Sequence, residues 1–266
     1  MAHGGISGVD CRGRRGCRLG AALARRFARE DYRVAVSGRS LDKLQTVVAD
    51  IEANGGKANA IVADSGIEAD VLAAIAQVNE LGTLRAAIFN VGNSVSKPAL
   101  ELSAELFEQT WRASTLGGFL FAREATRTLL ANGGGSLLFT GATASLRGKP
   151  PYTAFAAGKA GLRSVSQSFA REFGPQNVHV AHVVIDGSID GERVKSRAPD
   201  YLAKLGEDGA LRLEDIADAY WYLHTQPAAP GPRSWTCGHS RNSSDTGGGY
   251  GSPSDSTRTC IRIRGA

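Results

Sequence analysis

The feature that most limits what this chain can fold into is a steady alternation between residues 19 and 226 of short apolar runs with helix-spaced segments. Apolar residues recur at helical spacing in LGAALARRFARE (19–30) and LDKLQTVVADIEAN (41–54), then over 67–80, 102–131, 153–173 and 213–224. Between them lie RVAVSG (33–38), KANAIVAD (57–64), LRAAIFN (84–90), SLLFTG (136–141) and VHVAHVVI (178–185). Gly55-Gly56 and Gly133-Gly134-Gly135 mark turns, and Gly117-Gly118 reads as a break within 102–131. Near-continuous apolar strands separated by helices pair in parallel, buried on both faces, through right-handed crossovers. The predicted fold is α/β, a doubly wound parallel Rossmann-type sheet with helices on both faces in a single domain.

Charge divides the chain differently. The 266 residues carry a formal +5, which invites a nucleic-acid partner. Residues 1–20 and 227–266 together hold 9 basic and 3 acidic groups, leaving 22 basic and 23 acidic groups in 21–226. The body is balanced, so neither nucleic acid nor a membrane surface is expected as a partner. Cys11, Cys17, Cys237 and Cys260 also lie only in the ends, at spacings that fit no zinc site, and no metal is expected. No apolar run approaches the roughly 20 residues that span a bilayer, and the N-terminus has no export-signal core. A cytoplasmic protein is expected.

In open α/β sheets ligands bind beyond the carboxyl ends of the strands. Those ends here are Ser37–Arg39, Asp64, Asn90–Gly92, Gly141–Ala144 and Asp186–Ile189. Together with Lys159 in its helix they resemble the short-chain dehydrogenase/reductase family, from about Leu19 to Pro227. Asn90-Val91-Gly92 is similar to the family's Asn-Ala-Gly motif, and Asp64 stands where the family has an acid near the adenine. Arg39, with Ser40 after it, follows the second strand, where an Arg pairs with the 2′-phosphate and implies NADP; an acid there would favour NAD. NAD stays open as the cofactor, and Arg39 also reads as a solvated loop charge. Gly20 matches the last glycine of the family's phosphate-binding turn. Ile189 is expected beside the cofactor carboxamide.

The resemblance implies hydride transfer between a nicotinamide and a small-molecule carbonyl or alcohol, with Tyr as general acid/base, Lys lowering its pKa, Ser orienting substrate and Asn completing a proton relay. This chain departs from that set. The Tyr-x-x-x-Lys motif reads Phe155-Ala-Ala-Gly-Lys159, the Ser position falls on Ala142 and the Asn position on Ser114. Only Lys159 is retained, and it also reads as a solvated helix lysine. Thr143 and Tyr152 are the neighbours that could donate a proton or a hydrogen bond, Tyr152 alternatively being a core or interface aromatic. Asp186-Gly187 replaces the family's Pro-Gly, and mid-strand His182 reads as a buried, satisfied histidine. Two functions follow: an NADP(H)-linked oxidoreductase with weak or lost activity, or a non-catalytic nucleotide-binding or interaction protein. Helices 102–131 and 153–173 match those through which the family dimerises, implying a homo-oligomer. The specificity loop around 190–212 carries no diagnostic chemistry.

The ends do not fit this frame. Residues 9–18, ValAspCysArgGlyArgArgGlyCysArg, cannot form the central strand, because four guanidiniums cannot be buried there. Residues 1–18 therefore read as an aberrant segment replacing the first strand and glycine loop, 19–226 as the domain, and 227–266 as a Gly/Ser/Arg-rich disordered tail. With Arg as CGN codons, a one-base shift through Cys11–Arg18 permits Thr-Val-Val-Val-Gly-Ala-Gly-Ala-Gly, a buried strand and its glycine turn. A shift through Ser234–Asn242 likewise permits a closing strand. Both ends read as frame-shifted translations, with poor folding or a weakened pyrophosphate site expected.

Overall fold

The structure, a computed structural model, describes residues 3–8, 19–92, 94–190, 210–226 and 234–238. Seven strands form one sheet: β1 (His3–Gly8), β2 (Tyr32–Gly38), β3 (Lys57–Val62), β4 (Thr83–Phe89), β5 (Gly135–Thr140), β6 (Val178–Asp186) and β7 (Ser234–Gly238). Their order is β3-β2-β1-β4-β5-β6-β7, and every pairing is parallel. The helices are α1 (Leu19–Ala28), α2 (Leu41–Ala53), α3 (Glu68–Leu81), α4 (Ala104–Trp111), α5 (Gly117–Ala131), α6 (Thr153–Phe173) and α7 (Leu213–Thr225). This is the expected doubly wound α/β architecture.

The two-residue period of the strands distributes the core over both faces. Ala86, Ile88, Leu138, Ala181, Val183 and Ile185 pack with α1, α2 and α7. Their neighbours Ala87, Phe89, Leu137, Phe139, Val178 and Val180 pack with α3, α5 and α6. Tyr220 from α7 is fully buried, and its hydroxyl shares a 2.6 Å hydrogen bond with Thr140 Oγ1 at the carboxyl end of β5. That bond satisfies a polar group that burial would otherwise penalise.

Three expectations change. The sheet does not lack a centre: His3–Gly8 pairs with β2 on one side and β4 on the other. This short, glycine-containing segment carries little strand signal of its own, and residues 9–18 lie outside the described residues. Within the segment read as a tail, Ser234–Gly238 is a strand paired with β6, not disordered chain. Gly117-Gly118 is not a break either, because α4 runs into α5 through a π turn at Arg112–Leu116. The glycines serve close approach instead. A Cβ on Gly118 would lie 2.2 Å from Leu162 Cδ1, and one on Gly117 2.9 Å from the Ser65 carbonyl oxygen.

Candidate active site

Lys159 organises the carboxyl edge of the sheet. It projects from α6, is 3% exposed, and donates hydrogen bonds to Val91 O (3.1 Å), beyond β4, and Thr140 O (2.8 Å), the last residue of β5. That burial excludes the solvated-lysine reading. Desolvation pulls its pKa down to about 8, and the two carbonyls offset part of the penalty by stabilising the ammonium. Gly92 leaves room for the same contact, since a Cβ there would lie 3.1 Å from Nζ. The Asn90-Val91-Gly92 turn is thus locked to the lysine through its middle carbonyl.

The other expected catalytic positions lie around this lysine with altered chemistry. Phe155 is half-buried on α6, four residues before Lys159, and has no ionisable group. Ala142 is extended, and its backbone N–H donates to Ser145 Oγ at 3.1 Å. Ser145, which sequence reasoning passed over, is buried and holds the short turn Thr143–Ser145. Ser114 occupies the π turn, fully buried, with no hydrogen-bond partner for Oγ among the described residues. It packs under Gly158, whose added Cβ would lie 3.0 Å from Ser114 Cβ. Tyr152 is 37% exposed just before α6, so it is not a core aromatic.

Thr143 has a partner that the sequence did not reveal. Its hydroxyl donates to Asp186 Oδ1. The cause is topology: Thr140 pairs with Val183 near the carboxyl ends of β5 and β6, the short turn after β5 starts at Thr143, and β6 ends at Asp186. Asp186 therefore does more than relax a turn that a proline would stiffen. The only advance signal was an acid in place of that proline.

His182 also departs from expectation. It is 1% exposed, as anticipated, but neither ring nitrogen has a partner among the described residues. Burial, followed by the charges of Arg163 and Lys159, pushes its pKa down to about 3, which keeps the ring neutral. It lies against Gly141, where a Cβ would come 2.1 Å from Cε1.

At the other end of the same edge, Arg39 and Asp64 meet in an ion pair at 3.4 Å, both partly exposed. Arg39 is therefore not an isolated solvated charge, although exposed pairs of this kind contribute little to stability. Asp64 Oδ1 also accepts from Gly66 N at 2.9 Å. Ser40 caps α2 without a side-chain cap hydrogen bond. Gly20 is buried in the first turn of α1. Ile189 bridges Leu211, bringing the residues after β6 against the start of α7. Most of the specificity loop, 191–209, lies outside the described residues.

A buried lysine tied to two strand ends, with polar groups gathered along the carboxyl edge, makes this edge of a Rossmann-type sheet the candidate site. The family model for short chain dehydrogenases matches residues 15–201. This chain belongs to the short-chain dehydrogenase/reductase family. It is 32% identical over 166 residues to a short-chain dehydrogenase/reductase of Armillaria gallica, covering 61% of this chain and 64% of that protein. A human 3-oxoacyl-[acyl-carrier-protein] reductase is 27% identical over 217 residues, covering 80% of this chain and 89% of the reductase. Among solved structures, a Rhodopseudomonas palustris short-chain dehydrogenase superposes with a TM-score of 0.74 at 35% identity, covering 88% of this chain and 97% of that one. An actinorhodin polyketide ketoreductase variant with NADPH shares the fold at a TM-score of 0.79 and 19% identity, covering 89% of this chain and 95% of its own.

Proposed function

We propose that the chain is an NADP(H)-linked oxidoreductase acting on a small-molecule carbonyl or alcohol, with a proton-handling set unlike its family's. The observation that carries this reading is Lys159, held buried between Val91 O and Thr140 O beside the glycine at position 92. Its ammonium has a third hydrogen, suited to a ribose hydroxyl. The residues along the edge fit the nucleotide chemically. Arg39 and the uncommitted Ser40 hydroxyl at the start of α2 suit a 2′-phosphate, for which a helix N-terminus adds favourable dipole. That set supports NADP over NAD. Asp64 suits the adenine amine, Asn90 and Gly92 shape the floor, Ile189 the carboxamide side, and Gly20 the pyrophosphate turn. The ketoreductase that shares this fold was solved with NADPH.

Bound nicotinamide supplies or accepts a hydride. The chain's own residues must bind, exclude water and manage one proton. With Phe155 and Ala142 in place of an acid/base and a hydroxyl, turnover is expected to be weak. The same losses, with Ser114 buried, favour a second reading: a non-catalytic nucleotide-binding or interaction protein on this fold. Single-turnover oxidation of NADPH against a panel of aldehydes and ketones separates the two. Oxidation above the substrate-free rate supports the enzyme, and its absence with NADPH bound, together with no reduction of NADP⁺ by alcohols, supports the sensor.

No helix among the described residues is long and apolar enough to cross a membrane, and a cytoplasmic site of action is proposed. Phe107, Trp111 and Phe119 on α4 and α5 are each more than a third exposed, which supports a second copy of this chain as their cover. Sedimentation velocity tests this: a dimer is expected, and a monomer at micromolar concentration contradicts it.

A further inference from the structure

We propose that Thr143 and Asp186 form the proton-accepting pair of this site and that its substrate is an alcohol, which brings its own hydroxyl hydrogen. This rests on the nicotinamide-linked reading above and adds the base and the direction of the reaction.

Which group can accept a proton follows from the chemistry of each side chain. Phe155 and Ala142 accept nothing through their side chains. Ser114 Oγ is fully buried beneath Gly158. The Lys159 ammonium is a donor without lone pairs, and two of its hydrogens already go to Val91 O and Thr140 O. Thr143 remains. It has one hydrogen, and that hydrogen goes to Asp186 Oδ1. The oxygen therefore meets a substrate with lone pairs, as an acceptor. A ketone or aldehyde oxygen, itself only an acceptor, finds no partner there; an alcohol hydroxyl does.

Thr143 alone is too weak a base, and its conjugate acid too strong, to hold a second proton. Asp186 removes that difficulty because the proton does not stay on threonine. The alcohol O–H breaks and its proton passes to Thr143 Oγ1 while the threonine hydrogen passes to Asp186 Oδ1. The O–H electron pair would become the second C–O bond, and an oxidised nicotinamide bound at this edge would supply the hydride acceptor for the hydrogen leaving carbon with its pair. Asp186 ends protonated and Thr143 unchanged. The fold fixes the alignment: Thr143 opens the short turn that follows β5, and Asp186 is the last residue of the adjacent β6. Thr143 is the catalytic residue here, touching substrate; Asp186 acts through it.

The test uses the full chain with NADP⁺ and, as probes, butan-2-ol, cyclohexanol and benzyl alcohol. Asp186→Asn keeps an oxygen that can accept from Thr143 but cannot take up a proton at neutral pH. It is expected to lower kcat about 10²-fold with KM nearly unchanged. Thr143→Val is expected to match it, and Thr143→Ser to restore kcat to within about threefold of the parent, on the same proton-transfer logic. A purely structural hydrogen bond would leave Asp186→Asn near the parent rate. Independently of turnover, the infrared carboxylate band lost in Asp186→Asn is expected to shift in Thr143→Val and stay put in Thr143→Ser. Parent-like kcat in Asp186→Asn, an unshifted band in Thr143→Val, or a chain that binds NADP⁺ yet oxidises none of the three alcohols overturns the pair. A chain that binds neither NADP⁺ nor NADPH overturns the underlying nicotinamide reading as well.

Discussion

Replacing Lys159 by methionine tests the energetics of the site without any ligand. The side chain is buried, and its pKa falls from 10.5 to about 8 through desolvation. Below pH 8 the lysine is charged in both folded and unfolded chains, and the folded protein bears the full penalty. Between pH 8 and 10.5 the folded chain has released the proton while the unfolded chain still holds it, so stability rises with pH there. The size of the shift corresponds to about 3 kcal/mol over that window. Lys159→Met lacks this contribution, and other groups cancel in the difference. Urea unfolding by linear extrapolation at pH 7, 8, 9, 10 and 10.5 is the assay. Wild type is expected to gain about 3 kcal/mol on the variant between the first pH and the last. Parallel stability curves would refute the claim that the lysine is desolvated.

Other substitutions probe separate parts of the account. Arg39→Ala is expected to weaken NADPH binding about tenfold or more while leaving NADH within about twofold, by loss of a phosphate partner; calorimetry reads both. Phe155→Tyr, which restores the family's acid/base four residues before Lys159, is expected to raise carbonyl reduction about 10²-fold, measured as NADPH oxidation. Gly118→Ala places a Cβ 2.2 Å from Leu162 Cδ1 and is expected to cost about 2 kcal/mol by overpacking, read as a lowered urea midpoint. Resequencing the gene across codons 11–18 and 234–242 tests the frame-shift reading; an uninterrupted, length-consistent frame contradicts it.

The sheet was legible because burial on both faces writes itself into composition. Runs such as LRAAIFN and SLLFTG have no polar side to expose, and α6 begins and ends at residues 153 and 173, as its periodicity indicated. Glycine was harder to read. At Gly117-Gly118 the same residue that breaks a helix in isolation lets α5 approach Leu162 and Ser65, a role visible only once the neighbours are known. The first strand was missed because His3–Gly8 has little β-branched or aromatic character. Its strand conformation comes from the pairing partners on either side.

The site was partly legible for a related reason. Lys159, Asn90 and Gly92 could be placed from local motifs, and the losses at Phe155 and Ala142 from counting along one segment. Pairings between distant segments could not. Arg39 with Asp64, and Thr143 with Asp186, are brought together because the neighbouring strands β2 and β3, and β5 and β6, end side by side, not by sequence spacing. That the nitrogens of His182 lack a partner among the described residues likewise depends on what surrounds the ring, which a single strand does not specify.

The central claim is that this edge, with Lys159 at its middle and Arg39 at its end, binds NADP(H). Calorimetric titration of the purified full chain with NADPH and with NADH tests it most directly. Saturable binding of NADPH at one site per chain, at least about tenfold tighter than NADH, is the expected result, given the phosphate partner at Arg39. Heat from neither nucleotide, or tighter binding of NADH, would contradict the account.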